Sequence, residues 1–206
     1  MSLPSTSLSL LSKLKQPDDS SMWQASWKRF LELYYEPLSA IAHSCYRHHT
    51  GGQVPSPGFI EDAVANTITD FFSKGQYRYD KSKGRLRSYL RMVTNARVVD
   101  LLRKERPIDH RCLNESGIEE IPVESDLELL AFKRSLLAML IEELRSLIPM
   151  RQFEIFERVK LKHQSPDYVA EDYAISRAMV DRYVYKVMTK LRQMAQQPEY
   201  QEELND

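Results

Sequence analysis

The chain has 206 residues, enough for one or two domains, and its 29 Lys and Arg are matched by 29 Asp and Glu. With zero formal net charge, a nucleic-acid surface has to come from a local concentration of positive charge. No run of about 18 apolar residues is present, so no transmembrane helix is expected. The N-terminus lacks a basic n-region and a small-residue cleavage site, so no signal peptide is read there.

Glycine is scarce and strand-like alternation is absent, so the expected fold is all-α, with two small helical domains joined by a linker. Residues 1–21 read as a Ser-rich N-terminal lead with a short amphipathic segment from Leu8 to Leu14. Ser21 and Gln24 have capping-box spacing at the start of a helix. That helix carries Trp23, Trp27, Phe30, Leu31 and Tyr34 as a core stripe, and Pro37 is expected to break or kink it. Leu38, Ile41, Ala42 and Cys45 continue an apolar face. His43, His48 and His49 have no Cys or Glu at ligand spacing, so no metal site is expected. Cys45 and Cys112 are far apart and follow no ligand pattern. They read as a buried thiol and a linker thiol in a reducing cytoplasm.

Ser56-Pro57 follows a loop and starts a second helix, with Ile60, Val64, Ile68, Phe71 and Phe72 inward and Glu61, Asp62 and Asp70 outward. The stretch from Gly75 to Pro107 then concentrates basic residues around Tyr77, Tyr79 and Tyr89. Aromatic rings among cations suit an unstacked base, each stack being worth about 1–3 kcal/mol. The helix in this stretch is expected to pack through Leu86, Leu90, Val93 and Leu101, with Tyr89, Met92, Ala96 and Val99. Arg87, Arg91 and Asn95, at i, i+4 and i+8, would then form an outward polar stripe.

Residues 107–125 read as an acidic, extended linker with Asp109, Glu115, Glu119, Glu120 and Glu124. A second helical unit is expected over 126–195, opened by Leu129, Leu130, Phe132, Leu136, Leu137, Leu140, Ile141 and Leu144. Phe153, Ile155, Phe156 and Val159 pattern the next helix. Ser165-Pro166-Asp167 caps a short helix bearing Val169, Ala170 and Tyr173. A tight turn at Ala174-Ile175-Ser176 leads to a capped helix with Val180, Val184, Val187 and Leu191 inward. Short helix, turn and capped basic helix make a helix-turn-helix pattern, and a left-handed residue is expected at Ala174. Residues 196–206 form a polar tail expected to fray.

These pieces, in this order, resemble bacterial extracytoplasmic-function (ECF) sigma factors, the two-domain initiation subunits of RNA polymerase. The match covers roughly residues 5 to 195. YRYDKSKGRLRSYLRMVTNARVVDLLRK resembles the segment for promoter melting and minus-ten recognition, with Tyr79-Asp80, Gly84, Tyr89-Leu90, Asp100 and Arg103 on its pattern. FIEDAVANTITDFF resembles the helix that grips the polymerase clamp. The C-terminal helix-turn-helix resembles the minus-thirty-five reader through Val169-Ala170-Glu171 and Ile175-Ser176. The chain departs from the family at Tyr89, where Trp is usual, and at Ala96, where Asn is usual. It departs again at Ala65-Asn66, in place of a Gln-acidic pair, and at Asp181, in place of a basic residue.

The resemblance implies a sigma region two over 22–106 that docks on core RNA polymerase through Glu61, Asp62, Val64, Ala65 and Asn66. It implies that Tyr77, Tyr79, Lys81, Lys83, Arg85, Arg87, Tyr89, Arg91 and Asn95 hold the melted non-template strand. It implies a sigma region four over 126–195 whose Ser176, Arg177, Met179, Arg182, Tyr185 and Lys186 read duplex promoter DNA. The acidic linker would thread the polymerase channel. An anti-sigma factor is a further partner that the resemblance allows. No Gly-rich phosphate loop, HExxH or paired-cysteine motif supports an enzyme or a cofactor. Two other readings stay open at this point. One is a stand-alone helix-turn-helix regulator acting on duplex DNA without polymerase, and the other is a structural adaptor whose basic patch is incidental.

Overall fold

A computed structural model describes Leu14 and residues 21–73, 79, 86–105, 125–198 and 200–201. Every regular element among them is helical, as the sequence pattern implied. In chain order they are α1 (Ser21–His49), α2 (Pro57–Ser73), α3 (Leu86–Glu105), α4 (Asp126–Leu147) and α5 (Met150–Phe156), followed by a π-helical segment (Glu157–Leu161), α6 (Pro166–Asp172) and α7 (Arg177–Ala195). No helix among the described residues is long and apolar enough to cross a membrane. Two compact units form, Met1–Ser135 and Leu136–Asn205. The division therefore falls inside α4 rather than at its start, Asp126, where the second unit was expected. The proposed linker, apart from Ser125, lies outside the described residues.

In the first unit α1, α2 and α3 pack against one another. Aromatic side chains fill the space between α1 and α2. Phe30 is fully buried, with ring centroids 4.8 Å from Tyr34, 5.6 Å from Phe71 and 5.0 Å from Phe72. Trp27 meets Phe72 edge-on at 4.7 Å. Such rings bury large areas, and their offset and edge contacts add about 0.5–1.5 kcal/mol per pair beyond burial. α1 is not broken at Pro37, and the proline itself is buried. Its missing N–H forfeits one helical bond, and burial of the ring in the core offsets that loss. Gly51 and Gly52 adopt left-handed conformations after α1, and the Gly52 N–H closes back on the Arg47 carbonyl at 2.7 Å. Ser56 caps α2 as expected, its hydroxyl accepting from the Phe59 N–H at 3.2 Å. α2 buries Ile60, Val64 and Phe71 and leaves Ile68 and Phe72 half-buried.

The second unit closes around Ile155, Val169, Ala170, Val180 and Val184, flanked by Val159, Tyr173, Ile175, Tyr183 and Met188. Phe153, Ile155 and Phe156 of α5 and Val180, Val184, Val187 and Leu191 of α7 are all buried, as their spacing implied. On α4 the pattern holds only in part. Phe132, Leu136, Leu140 and Leu144 are buried, whereas Leu130 and Leu137 are exposed and Met139 takes an inward position instead. The tail does not fray at Tyr200, whose ring is buried and whose hydroxyl donates to the Glu143 carboxylate.

Ser165 and Ser176 cap α6 and α7, accepting from the backbone N–H groups of Tyr168 and Met179 at 3.1 and 3.3 Å. Between the two helices Ala174 sits at φ +50°, the left-handed position expected there. An L-residue with a Cβ is strained by about 1–2 kcal/mol in that region, whereas glycine is not. Ala174→Gly should therefore stabilise the protein by about 0.5–1 kcal/mol, after the added freedom of the unfolded chain is subtracted. Urea unfolding checks this, and a lower midpoint would mean the turn carries no such strain.

Candidate nucleic-acid interface

The polar stripe of α3 is turned inward, which corrects the expected facing of Arg87, Arg91 and Asn95. α3 buries Leu86, Leu90, Arg91, Thr94, Asn95, Val98, Val99 and Leu102, while Ser88, Met92 and Ala96 face out. The helix is rotated relative to the sequence expectation because three polar residues find partners inside.

Arg91 is the centre of that interior. Its guanidinium forms a bidentate pair with Glu128, Nη1 donating to Oε2 and Nη2 to Oε1 at 3.1 Å. The two side chains are only 8% and 3% exposed. Glu128 is fixed from its other side by Ser125. The Ser125 hydroxyl donates to Glu128 Oε1 at 3.0 Å and accepts from the Glu128 N–H at 3.4 Å. Ser125-x-x-Glu128 is the capping-box spacing that starts α4, and the sequence reading passed over it. Arg87 lies 4.9 Å above the Phe132 ring, a cation–π contact to the same helix. Phe132 also meets Tyr34 at 6.2 Å. These contacts hold the first third of α4 in the first unit.

Asn95 accepts through Oδ1 from His49 Nε2 at 2.8 Å, so one of the three histidines weighed for metal binding serves packing instead. Burial holds the His49 pKa below its ordinary value of 6.5. The bond to Asn95 raises it and His48 lowers it, both by less. Cys45, fully buried, has its thiol pushed up to about 12 by burial, with Arg91 pulling down and Glu128 pushing up by less. It is an inert core thiol, as expected.

Of the aromatic group, Tyr79 and Tyr89 are half-buried, their rings tilted against each other at 5.7 Å. Tyr89 also lies 6.0 Å from Phe71. Tyr77, Lys81, Lys83 and Arg85 lie outside the described residues. Farther along α3, Arg97 pairs with Asp70 at 3.3 Å and with Asp100 at 2.9 Å, and Arg103 lies 4.0 Å from Asp100. Asp70 is thus a partner of α3 rather than an outward charge. Asn66, Thr69 and Lys104 join these residues around a polar groove between α2 and α3. On α2 itself Glu61, Asp62, Ala65 and Asn66 are exposed, whereas Val64 is core, which removes it from the expected docking set.

The outer face of α7 keeps all six residues expected there. Ser176, Arg177, Met179, Arg182, Tyr185 and Lys186 are exposed, opposite the buried valines. Arg177 is also engaged within the fold, its Nη1 2.6 Å from Asp167 Oδ2 and its Nε 3.8 Å from Asp181 Oδ2. Tyr168 on α6, which the sequence reading did not single out, is exposed and lies under Arg158 at 5.5 Å. Arg158 also pairs with Asp172 and lies 5.4 Å from the Tyr173 ring, clamping the π-helical segment to α6.

Compared with known proteins, the chain matches no family model, no curated protein and no solved structure.

Two predictions follow from the α3 interior. Arg91→Ala should cost about 3–5 kcal/mol in urea unfolding, because it leaves Glu128 buried and unpaired, while Arg91→Met with Glu128→Leu should recover most of that loss. A single-variant cost below about 1 kcal/mol would mean that water reaches the pair. For His49, a base with a depressed folded pKa, the stability it contributes is present above pH 6.5 and is lost as pH falls below it. His49→Gln should therefore flatten the fall in stability between about pH 7 and 5. Equal pH slopes in the two proteins would remove that role.

Proposed function

We propose that the chain is a sigma-type initiation subunit of the ECF kind, which brings core RNA polymerase to promoter DNA and assists its opening. The observation that carries the reading is the α6–turn–α7 pair. A capped short helix, a left-handed turn residue and a capped second helix present cations and a tyrosine outward over a closed apolar core. A helix so presented suits a major groove, with its N-terminal residues toward base edges. The exposed Glu61, Asp62, Ala65 and Asn66 of α2 suit a protein partner, and the polymerase clamp is the one the resemblance names.

The inward stripe changes the opening step. Arg87, Arg91 and Asn95 are used by the fold, so the unpaired strand is assigned to Tyr77, Tyr79 and Tyr89 and the basic residues Lys81, Lys83 and Arg85. Stacking on these tyrosines, at about 1–3 kcal/mol per base, is comparable with the few kcal/mol that extruding a base costs. Phosphate contacts from Lys81 and Lys83 add a salt-dependent share. No step of bond chemistry is assigned to this chain.

The same inward stripe also favours a second reading, the stand-alone helix-turn-helix regulator, because it removes three of the residues that pointed to a single strand. The two readings part on polymerase dependence. The sigma reading predicts that full-length protein co-elutes with core polymerase and binds duplex promoter DNA only in that complex. It also predicts that Glu61→Lys with Asp62→Lys weakens co-elution about tenfold or more, a loss of about 1.4 kcal/mol or more. Tight, sequence-selective duplex binding by the free protein, with no retention on core, would instead establish the regulator.

A further inference from the structure

We propose that Asp181 reads a cytosine in the major groove, and that Arg177 positions it rather than reading a base itself. The inference rests on the promoter-reading assignment of α7. Asp181 stands one helical turn beyond Arg177, and both side chains are more than half exposed, at 59% and 58%. It shares the outward side with Arg182 and Tyr185, opposite the buried Val180 and Val184. The residue thus occupies the part of the helix from which base edges are reached.

Arg177 does not match a free base reader. Its guanidinium donates to Asp167 Oδ2 at 2.6 Å, and its Nε lies 3.8 Å from Asp181 Oδ2. A planar guanidinium has donors enough to hold two carboxylates at once. One carboxylate comes from α6 and the other from α7, so Arg177 ties the two helices at the head of α7. It also offsets part of the negative charge that Asp181 brings toward DNA.

A carboxylate on this face meets repulsion from every phosphate and from every acceptor in the groove. It gains only where a donor hydrogen faces it. In the major groove the donors are the N4 amino group of cytosine and the N6 amino group of adenine. Either amino group has its partner's carbonyl oxygen on one side, but on the other side adenine sets its N7 acceptor, which repels a carboxylate, whereas cytosine sets only its C5–H. The chemistry therefore selects cytosine.

The test uses core polymerase reconstituted with the full chain on a promoter library randomised across the upstream element. The wild-type protein should enrich cytosine at one position by about tenfold, the effect of one good base contact. Asp181→Ala should abolish enrichment at that position alone. Asp181→Asn should redirect it to adenine, which an amide contacts through N6 and N7. Arg177→Ala should weaken the cytosine preference without redirecting it. Identical enrichment in wild type and both Asp181 variants would overturn the inference while leaving promoter reading intact. A uniform rise in output for Asp181→Ala, with unchanged preferences, would overturn it too, by showing only relieved repulsion. A wild-type protein that enriches no sequence would overturn the promoter-reading assignment itself, and this inference with it.

Discussion

The pair between Arg91 and Glu128 is the constraint on which the first unit depends. Taking either charge out of water alone costs several kcal/mol, so each is tolerable inside only with the other in place. The bidentate geometry and the Ser125 hydroxyl satisfy the carboxylate from two sides. That requirement sets the rotation of α3, because Arg91 has to point where α4 begins. Once α3 is so rotated, Asn95 meets His49, Arg87 meets the Phe132 ring, and Met92 and Ala96 are left outside. Cys45 of α1 lies in the field of both charges. The interior between α1, α3 and α4 is therefore partly polar, and it is specified by directed bonds as much as by apolar area.

The same fact explains which parts of the fold were legible in the sequence. α7 could be read because Val180, Val184, Val187 and Leu191 are aliphatic and every alternative rotation would expose them. α3 could not, because its apolar residues are spread around the helix and either of two faces looks plausible by periodicity. Leu86 and Leu90 fit both rotations, while Arg91 and Asn95 go inward because Glu128 and His49 receive them, and Thr94 beside them satisfies its hydroxyl on the Leu90 carbonyl of its own helix. The partner of Arg91 lies 37 residues away, beyond the reach of a local pattern. Its one local signal was the Ser125-x-x-Glu128 capping box. The break allowed for at Pro37 failed for a related reason. A proline rule describes a lone helix, and here a buried ring compensates the lost bond. Tyr200 was hidden by its acidic, polar neighbours.

For function, the rotation of α3 moves work from one set of residues to another. A stripe of Arg87, Arg91 and Asn95 on the surface would have made α3 itself a strand-binding face. With that stripe inside, α3 sets Tyr89 against Tyr79, and under the proposed role the cations for a single strand are Lys81, Lys83 and Arg85, which lie outside the described residues. The surfaces that the proposed role leaves for partners are then the exposed polar face of α2 and the outer face of α7. Neither is uniformly basic: α2 carries Glu61 and Asp62 and no cation, and α7 sets Asp181 beside Arg182 and Lys186. Mixed charge lowers affinity for bare phosphate backbone. It suits a protein whose DNA binding is to be dependent on a larger assembly.

The most direct measurement is run-off transcription from defined and mixed promoter templates by core polymerase, with and without the full-length chain. A sigma-type subunit converts core from non-specific to selective initiation, so transcripts should start from a restricted set of sequences only when the chain is present. Absence of any selective initiation, despite intact binding to core, would contradict the proposed role.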